Sequence, residues 1–278
     1  MISIFMVSLT PIAVKHLLSF YLFLLITSLP AFAFAQTAPA SKTYTYLIYH
    51  KLALGLTIQD ALSVEREWRA INQAAVDEGN LVGWHMMVKQ MTSNPNPAEY
   101  DYVTCIVSRE MAIRGASPGA MARLYGDSVQ TRMTSLQARD RQTAPVVKIE
   151  IWENIETLFG PAFRPEKGQT VVVDFLKLRD AQTNWPASVT PLRQDAATQV
   201  VQNQLRGWAF SALVVPKGSE KTYDFATARP IINLKQLGTI TDPKQLETQR
   251  QLTRTFDPVR QEVFRFEEFT TPVAVTKK

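Results

Sequence analysis

Cysteine and histidine are both scarce in this chain of 278 residues, and their scarcity excludes whole classes of site. Cys105 is the only cysteine, so a disulfide within the chain and a cysteine-rich metal site are both excluded. Of the three histidines, His16 lies in an N-terminal apolar segment, which leaves His50 and His85 for the rest of the chain. Neither belongs to a His-x-x-x-His or Glu-x-x-His pair, so we expect no metal and no cofactor.

Phosphate-binding and nucleophile motifs are also missing. The glycines at the two ends of segment 115–119 are not followed by the Lys-Ser or Lys-Thr of a phosphate-binding loop. No Gly-x-Ser-x-Gly turn occurs anywhere in the chain. Basic residues exceed acidic ones by only 30 to 25, and they are scattered along the sequence. We therefore expect no nucleic acid as a partner.

The first 35 residues have the features of an export signal. An almost purely apolar run, 16–26, follows Lys15 and precedes Ala33-Phe34-Ala35, a cleavage site of the A-x-A type. We expect cleavage after Ala35, a mature chain beginning at Gln36, and no stable membrane span after cleavage. Retention as an N-terminal anchor is the alternative, because the run and its tail approach the length of roughly 20 residues that a span needs. The expected location is periplasmic or secreted, and the lack of disulfides favours the periplasm.

One phrase occurs twice in the sequence. Gly83-Trp84 followed by Tyr100-Asp101-Tyr102 returns as Gly207-Trp208 followed by Tyr223-Asp224-Phe225, with only 5 tryptophans in the chain. A repeat of this length predicts a duplicated structural unit.

Each copy has the same predicted order of elements. In the first copy, an aromatic and β-branched run at 43–51 predicts a strand, and an apolar stripe with spacings of three and four predicts a helix over 58–77. Strands at 81–91 and 100–108, a helix opened by Ser117-Pro118 and a strand at 146–152 complete a βαββαβ unit. The second copy repeats the order with strands at 170–178, 205–215, 223–232 and 261–269, and Thr241-Asp242-Pro243 opens its second helix. The predicted segments are a linker 36–42, a first ferredoxin-like repeat 43–153, a connection 154–169, a second ferredoxin-like repeat 170–269 and a tail 270–278.

The two phrases and the element order resemble the dimeric α/β-barrel superfamily, which includes the antibiotic-biosynthesis-monooxygenase-like and EthD-like proteins. A four-stranded antiparallel sheet with helices on one face leaves its other face uncovered, and a twin unit can cover it. The resemblance implies an α+β fold of two tandem ferredoxin-like units whose sheets face each other as a pseudo-dimeric barrel. It also implies a ligand or substrate between the sheets, in a monomer or homodimer. Activities in the superfamily range from cofactor-free oxygenation to haem chemistry to none known.

Comparison of the copies predicts which side chains face the space between the sheets. The helix side of the first and third strands is predicted to carry Leu47, Tyr49, Val103 and Cys105 in the first copy, and Val173, Phe175, Ala226 and Ala228 in the second. The helix side of the second strand is predicted to carry Trp84, Met86 and Val88, with Trp208 and Phe210 in the second copy. The helix side of the fourth strand is predicted to carry Val147, Ile149 and Ile151. The opposite face then collects a mixed polar and aromatic set that is typical of a small-molecule pocket. This candidate ligand-binding set is Tyr46, His50, His85, Tyr102, Thr104, Glu150, Asp174, Arg229 and Arg265.

Three functions remain open at this stage. The first is an exported protein that binds an unidentified small molecule between its two half-barrels. The second is a cofactor-free oxygenase or isomerase that uses His50 or His85 as a general base near Tyr102. The third is a structural or interaction module in which the polar sheet face contacts another chain. A cavity larger than about 300 Å³ would favour the first two.

Overall fold

The computed structural model describes residues 42–159, 163–218, 221–232 and 243–271. The predicted signal segment, the linker before residue 42, the Thr241-Asp242 helix start and most of the tail lie outside the described residues. Among the helices of the described part, none has both the length and the apolar character needed to cross a membrane.

The first half of the described chain contains four strands and three α-helices. These are β1 Thr43–His50, α1 Ile58–Asp77, β2 Gly83–Thr92, β3 Tyr102–Ser108, α2 Pro118–Tyr125, α3 Val129–Thr143 and β4 Val146–Thr157, with a 3-10 turn Gly126–Ser128 between α2 and α3. The second half contains β5 Thr170–Leu178, α4 Trp185–Val201, β6 Ala209–Val215, β7 Phe225–Ile231, α5 Pro243–Thr255 and β8 Phe256–Phe269. The last strand of each half is longer than the sequence pattern predicts.

The eight strands form one closed antiparallel barrel in the order β1-β3-β2-β8-β5-β7-β6-β4. Each half contributes a four-stranded sheet of the ferredoxin-like order, and the halves join edge to edge where β2 pairs with β8 and β4 pairs with β6. The predicted fold class, two ferredoxin-like units in a pseudo-dimeric α/β barrel, is confirmed. Closure leaves no strand edge of the barrel unpaired, which removes the sites at which sheets aggregate.

Helix α1 forms where the apolar stripe predicts it. Ala61, Val64, Ile71 and Ala75 are buried, and Trp68 packs beside them as a half-buried residue. At the start of the second helical region, Ser117 caps α2 by accepting a hydrogen bond of 3.1 Å from the Ala120 backbone N–H. The start of α2 and the buried face of α1 are therefore set by local sequence.

The barrel interior is filled mainly by aromatic and apolar side chains. Leu47, Tyr49, Val103 and Cys105 point into it, where they pack with Phe175 and Phe264 from the other half. The prediction that these residues of β1 and β3, and Val173, Phe175, Ala226 and Ala228 of the second copy, face the helices is therefore wrong. Small closed barrels have packed interiors, so the more apolar face of these strands enters the barrel, and the face that carries His50, Tyr102 and Thr104 packs under the helices.

The prediction for β2 and β6 is confirmed. Trp84, Met86 and Val88 pack under α1 in the first half, and Trp208 and Phe210 pack under α4 in the second. The buried tryptophans of the repeated phrase thus anchor the helix side of each half.

The outer face of β4 is not covered by a helix. Val147 and Ile149, predicted to face the helices, point outward as expected but are each 49% exposed. Glu150 and Trp152 alternate with them and are buried in the barrel. The polar and aromatic side chains of β4 therefore enter the interior while its aliphatic ones contact solvent.

Candidate functional site

A second repeated phrase places charge inside the barrel. Lys148-Ile149-Glu150-Ile151-Trp152 in β4 corresponds to Arg260-Gln261-Glu262-Val263-Phe264 in β8, each with the pattern cation-x-Glu-x-aromatic. Alternation along a strand directs the cation, the glutamate and the aromatic ring to one face. In both strands that face is the interior, and Glu150 and Glu262 are fully buried.

Two tyrosines of the first repeated phrase form hydrogen bonds with these glutamates. Each tyrosine belongs to the half of the chain that does not contain its glutamate. The hydroxyl of Tyr223 donates a hydrogen bond of 2.6 Å to Glu150 Oε1. The hydroxyl of Tyr100 donates to Glu262 Oε2. Each half of the chain thus supplies the phenol that bonds the carboxylate of the other half, and the two halves form one crossed network.

Glu150 has the larger set of donors. Its Oε2 accepts hydrogen bonds from the Tyr49 hydroxyl at 2.7 Å and from Trp152 Nε1 at 3.3 Å. Its Oε1 accepts from Lys221 Nζ at 2.6 Å. Lys148 Nζ lies 3.6 Å from the same oxygen. A buried carboxylate with this many donors and two nearby cations is well compensated for its lost hydration.

The protonation states of this network follow from burial and charge. Burial opposes ionisation of Glu150 most strongly, but Lys148 and the hydrogen bonds from Lys221, Tyr223 and Tyr49 together lower its pKa below the ordinary value of 4.5. Burial, reinforced by the negative charge of Glu150, raises the pKa of Tyr49 and Tyr223 above 10. The network therefore consists of an ionised carboxylate and protonated phenols at neutral pH.

The second buried carboxylate, Glu262, is connected to the protein surface by Arg260. Its guanidinium lies 2.8 Å from Glu262 Oε1 and 2.7 Å from Glu99 Oε2. Glu99 in turn lies 3.4 Å from Lys148 Nζ, so this one partly exposed carboxylate bridges the two equivalent cations. A chain of alternating charge connects both buried glutamates.

A cleft of about 580 Å³ opens at this end of the barrel, above the network. Its described lining contains four cations and one acid, with the ring of Tyr223 between them. The walls come from the β6–β7 and β2–β3 connections and from the first residues of β4 and β8. The lining residues are Glu99, Lys148, Pro216, Lys217, Gly218, Lys221, Thr222, Tyr223 and Arg260.

The structure does not bring the predicted ligand-binding set together. Of the nine, only Glu150 and His85 lie on the interior face, and their strands, β4 and β2, are separated by β1 and β3. His85 pairs with Cys105 and Phe269, far along β2 from the cleft, and its ring contacts Phe266 with 5.2 Å between ring centres. Burial lowers the pKa of His85 to about 4.

The other seven predicted residues point away from the interior. Tyr46 is on the outer surface of β1, where its hydroxyl contacts the Met111 carbonyl. His50, Tyr102 and Thr104 lie between the first sheet and its helices. Asp174 and Arg229 form an ion pair of 2.7 Å on the outer face of the second half, and Arg265 pairs with Glu267 at 2.5 Å. The assignment of these seven to a ligand-lining face is therefore corrected.

Comparison with known proteins gives a fold and no sequence family. No protein-family model matches the chain, and no curated protein sequence matches it. A structure from Lactobacillus acidophilus, inferred to be a monooxygenase, aligns with a TM-score of 0.52 at 9% identity, covering 84% of this chain and 98% of its own. A Fusobacterium nucleatum protein, also inferred to be a monooxygenase, aligns with a TM-score of 0.53 at 6% identity, covering 83% and 94%.

The fold is a dimeric α/β barrel. In this dimeric α/β barrel, one chain supplies both halves, so the two halves are free to differ in sequence. The network differs accordingly, because Glu150 contacts Tyr49 where the corresponding position of the second half holds Phe175. Similarity at these identities establishes the fold alone, and the function has to be argued from the site.

The residues that sequence reasoning missed are the tyrosines and the cations. Tyr49, Tyr100 and Tyr223 were available from the first repeated phrase and its flanking strand. Lys148 and Arg260 share the cation-x-Glu-x-aromatic pattern, which identifies Glu262 rather than Arg265 as the equivalent of Glu150. This second repeat was the signal that would have located the site.

Proposed function

We propose that the protein binds a small anionic molecule in the cleft at the end of its barrel, after export from the cytoplasm. The observation that carries the proposal is the cleft lining, in which Lys148, Lys217, Lys221 and Arg260 face a single described acid, Glu99. A cleft of about 580 Å³ is within the size range of small-molecule sites, which is roughly 300–1,000 Å³.

The ion pairs in the cleft favour an anion that competes with Glu99. Lys148 and Arg260 are both held by this carboxylate, whose side chain is 31% exposed and therefore able to move toward solvent. A ligand carboxylate entering between the two cations would replace Glu99 without leaving either cation unpaired. The buried carboxylates, Glu150 and Glu262, would remain in place and keep both cations oriented.

The aromatic rings behind the cations favour a ligand with an apolar part. Lys148 Nζ lies 4.0 Å above the Tyr49 ring, and Tyr223 lines the cleft directly. Ammonium groups held against aromatic faces are partly desolvated, which strengthens their attraction for an anion. We therefore favour a small organic carboxylate over inorganic phosphate.

Calorimetric titration of the mature protein with benzoate, succinate and inorganic phosphate tests the proposal. We expect benzoate or succinate to bind, and Lys148→Gln and Arg260→Gln each to weaken that binding about tenfold, equivalent to about 1.4 kcal/mol. The matched control is Lys42→Gln, which removes a cation paired with Glu153 at the other end of the barrel. Equal affinities in all four proteins, or no binding of any probe, would refute the cleft as an anion site.

Catalysis in the same cleft is the second candidate function. It is supported by the inferred monooxygenase activity of the two structural neighbours and by the protonated Tyr223 beside an ionised carboxylate. His50 and His85 do not line this cleft, so a base drawn from these histidines is not part of the proposal. Oxygen uptake by the protein with a bound carboxylate or phenol, abolished in Tyr223→Phe, would favour an enzyme over a binding protein.

Export is proposed from the sequence of residues 1–35. The apolar run and Ala33-Phe34-Ala35 support cleavage after Ala35, with the mature protein in the periplasm or secreted. Intact mass of protein recovered from the cell envelope should correspond to a chain that starts at Gln36. A mass that includes residues 1–35 would instead favour the retained anchor.

A further inference from the structure

A buried polar cluster outside the barrel is separate from the cleft. His50 is the last residue of β1, Glu65 lies in the third turn of α1, and Asp140 lies near the end of α3. One possible ligand atom from each of these side chains lies within 4.8 Å of the other two. His50 and Glu65 are 4% and 1% exposed, so the cluster is enclosed between the first sheet and its helices.

We propose that His50, Glu65 and Asp140 bind a divalent transition-metal ion, of the zinc or manganese class. One imidazole nitrogen and two carboxylate oxygens are a ligand set suited to these ions. Metal–ligand bonds of about 2.1 Å place tetrahedral ligands roughly 3.4 Å apart. The spacing of up to 4.8 Å therefore requires the side chains to close by little more than an ångström.

The charges in the cluster support a cation. Among the ion pairs of the described residues, none involves Glu65 or Asp140. Of the arginines next to them in sequence, Arg66 pairs with Glu268 at 2.8 Å and Arg139 pairs with Glu67 at 2.8 Å, while Arg141 attracts Asp140 from a distance beyond that of an ion pair. Two carboxylates in an apolar layer must bind a proton or a cation to offset their lost hydration. A divalent ion would neutralise both.

The protonation equilibria of the cluster agree with this requirement. Burial raises the pKa of Glu65 to about 8, against the hydrogen bond from Tyr102, and Asp140 adds to the increase. Burial also raises the pKa of Asp140 above its ordinary value.

Each proposed ligand is already oriented by an outer partner. Ala144 offers only a carbonyl oxygen to His50 Nδ1, at 3.2 Å, so Nδ1 carries the proton. The lone pair is therefore on Nε2, which now lies 3.0 Å from the Thr104 hydroxyl. Tyr102 donates to Glu65 Oε1 at 2.8 Å, and Trp68 Nε1 donates to Asp140 Oδ2 at 3.2 Å. Metal ligands are commonly held by outer hydrogen bonds of this kind.

The sequence gives no local signal for this set, because its three members come from three separate elements. The expectation of no metal site was drawn from the lack of His-x-x-x-His, Glu-x-x-His and cysteine-rich spacings. Folding brings together residues 50, 65 and 140, which no short motif would join.

Titration of chelator-treated mature protein with Zn²⁺ and Mn²⁺ tests the proposal. We expect one ion per chain by elemental analysis and calorimetry. Asp140→Asn and His50→Gln should each weaken binding about 100-fold or more. Glu67→Gln is the matched control for Glu65→Gln, because it changes a glutamate of the same helix that faces Arg139 instead.

A variant that leaves all three ligands intact separates binding from folding. Trp68→Phe removes the hydrogen bond to Asp140 but keeps an aromatic ring in its place, and should weaken the metal about 10- to 100-fold. Binding of more than one ion per chain, an affinity unchanged in Asp140→Asn and His50→Gln, or no saturable binding of either ion would overturn the proposal. A loss in Glu67→Gln equal to that in Glu65→Gln would also overturn it.

Discussion

Tyr223 donates a hydrogen bond of 2.6 Å to Glu150, across the boundary between the two halves of the chain. Tyr100 makes the reciprocal bond to Glu262. The closed barrel makes this exchange geometrically possible, because β4 pairs with β6 and β2 pairs with β8. The two duplicated units are therefore joined by ladder hydrogen bonds and by a shared polar network that ends at the cationic cleft.

Removing the Glu150 carboxylate should destabilise the protein strongly. Glu150→Ala leaves Tyr49, Tyr223 and Lys221 without their acceptor in a buried position, and we expect a loss of about 3–5 kcal/mol in the free energy of unfolding. Glu156→Ala is the control, because Glu156 forms a surface pair with Arg193 and should cost about 1 kcal/mol or less. Urea denaturation measures both. Equal losses would mean that Glu150 is not the buried centre of the network.

The same carboxylate should give a defined pH dependence. The pKa of Glu150 is lower in the folded protein than its ordinary value of 4.5, so its ionised form contributes stability above that value. This contribution is lost as the pH falls through the lowered folded pKa. The difference in unfolding free energy between wild type and Glu150→Gln should therefore be constant near pH 7 and decrease below about pH 4.5. A difference that grows on acidification would contradict the ionised state.

Trp208 should behave as a core residue of the second half. It is 3% exposed and packs with Phe210 under α4, so Trp208→Ala should cost about 3–5 kcal/mol. Val201→Ala, at a position that is 82% exposed, should change stability by about 0.5 kcal/mol or less. A loss below about 1 kcal/mol for Trp208→Ala would place this side chain on a solvent-facing surface.

Cys105 should be unreactive in the native protein. The thiol is 1% exposed inside the barrel, and burial raises its pKa well above the ordinary value of 9.0. Because the thiolate is the reactive species, modification by a disulfide reagent should require unfolding and follow its rate. Rapid stoichiometric labelling under native conditions would contradict a packed barrel interior.

The fold could be predicted from sequence because several independent patterns agreed. The repeated Gly-Trp phrase indicated the duplication, and the stripe in 58–77 fixed the helix face. Bare sheet faces then required the two units to cover each other. The assignment of strand faces failed on β1 and β3, whose more apolar side faces the barrel interior and not the helices.

The register of β2 against β3 explains that failure. Val88 pairs with Tyr102 and Met86 pairs with Thr104, and directly paired residues share a face of the sheet. Placing Val88 and Tyr102 on opposite faces was therefore incompatible with the strand pairing. The length of the intervening loop left the register open, and with it the positions of His50, Tyr102 and Thr104.

The candidate site was recoverable only in part. Glu150 was predicted on the correct face, because polar and aliphatic residues alternate along β4. Its cross-barrel partner Tyr223 depends on closure of the barrel, which alternation within one strand does not encode. Arg260 lies in the first part of β8, which begins earlier than the pattern at 261–269 indicates.

Amide chemical shifts of the mature protein, recorded during titration with the probe carboxylate, test the anion-binding cleft most directly. We predict that the perturbed residues cluster at Lys148, Lys221, Tyr223 and Arg260. Lys148→Gln should require about tenfold more of the probe for the same perturbation, while Lys42→Gln should leave the titration unchanged. Perturbations centred on His85, or a titration that Lys148→Gln leaves unchanged, would contradict the account.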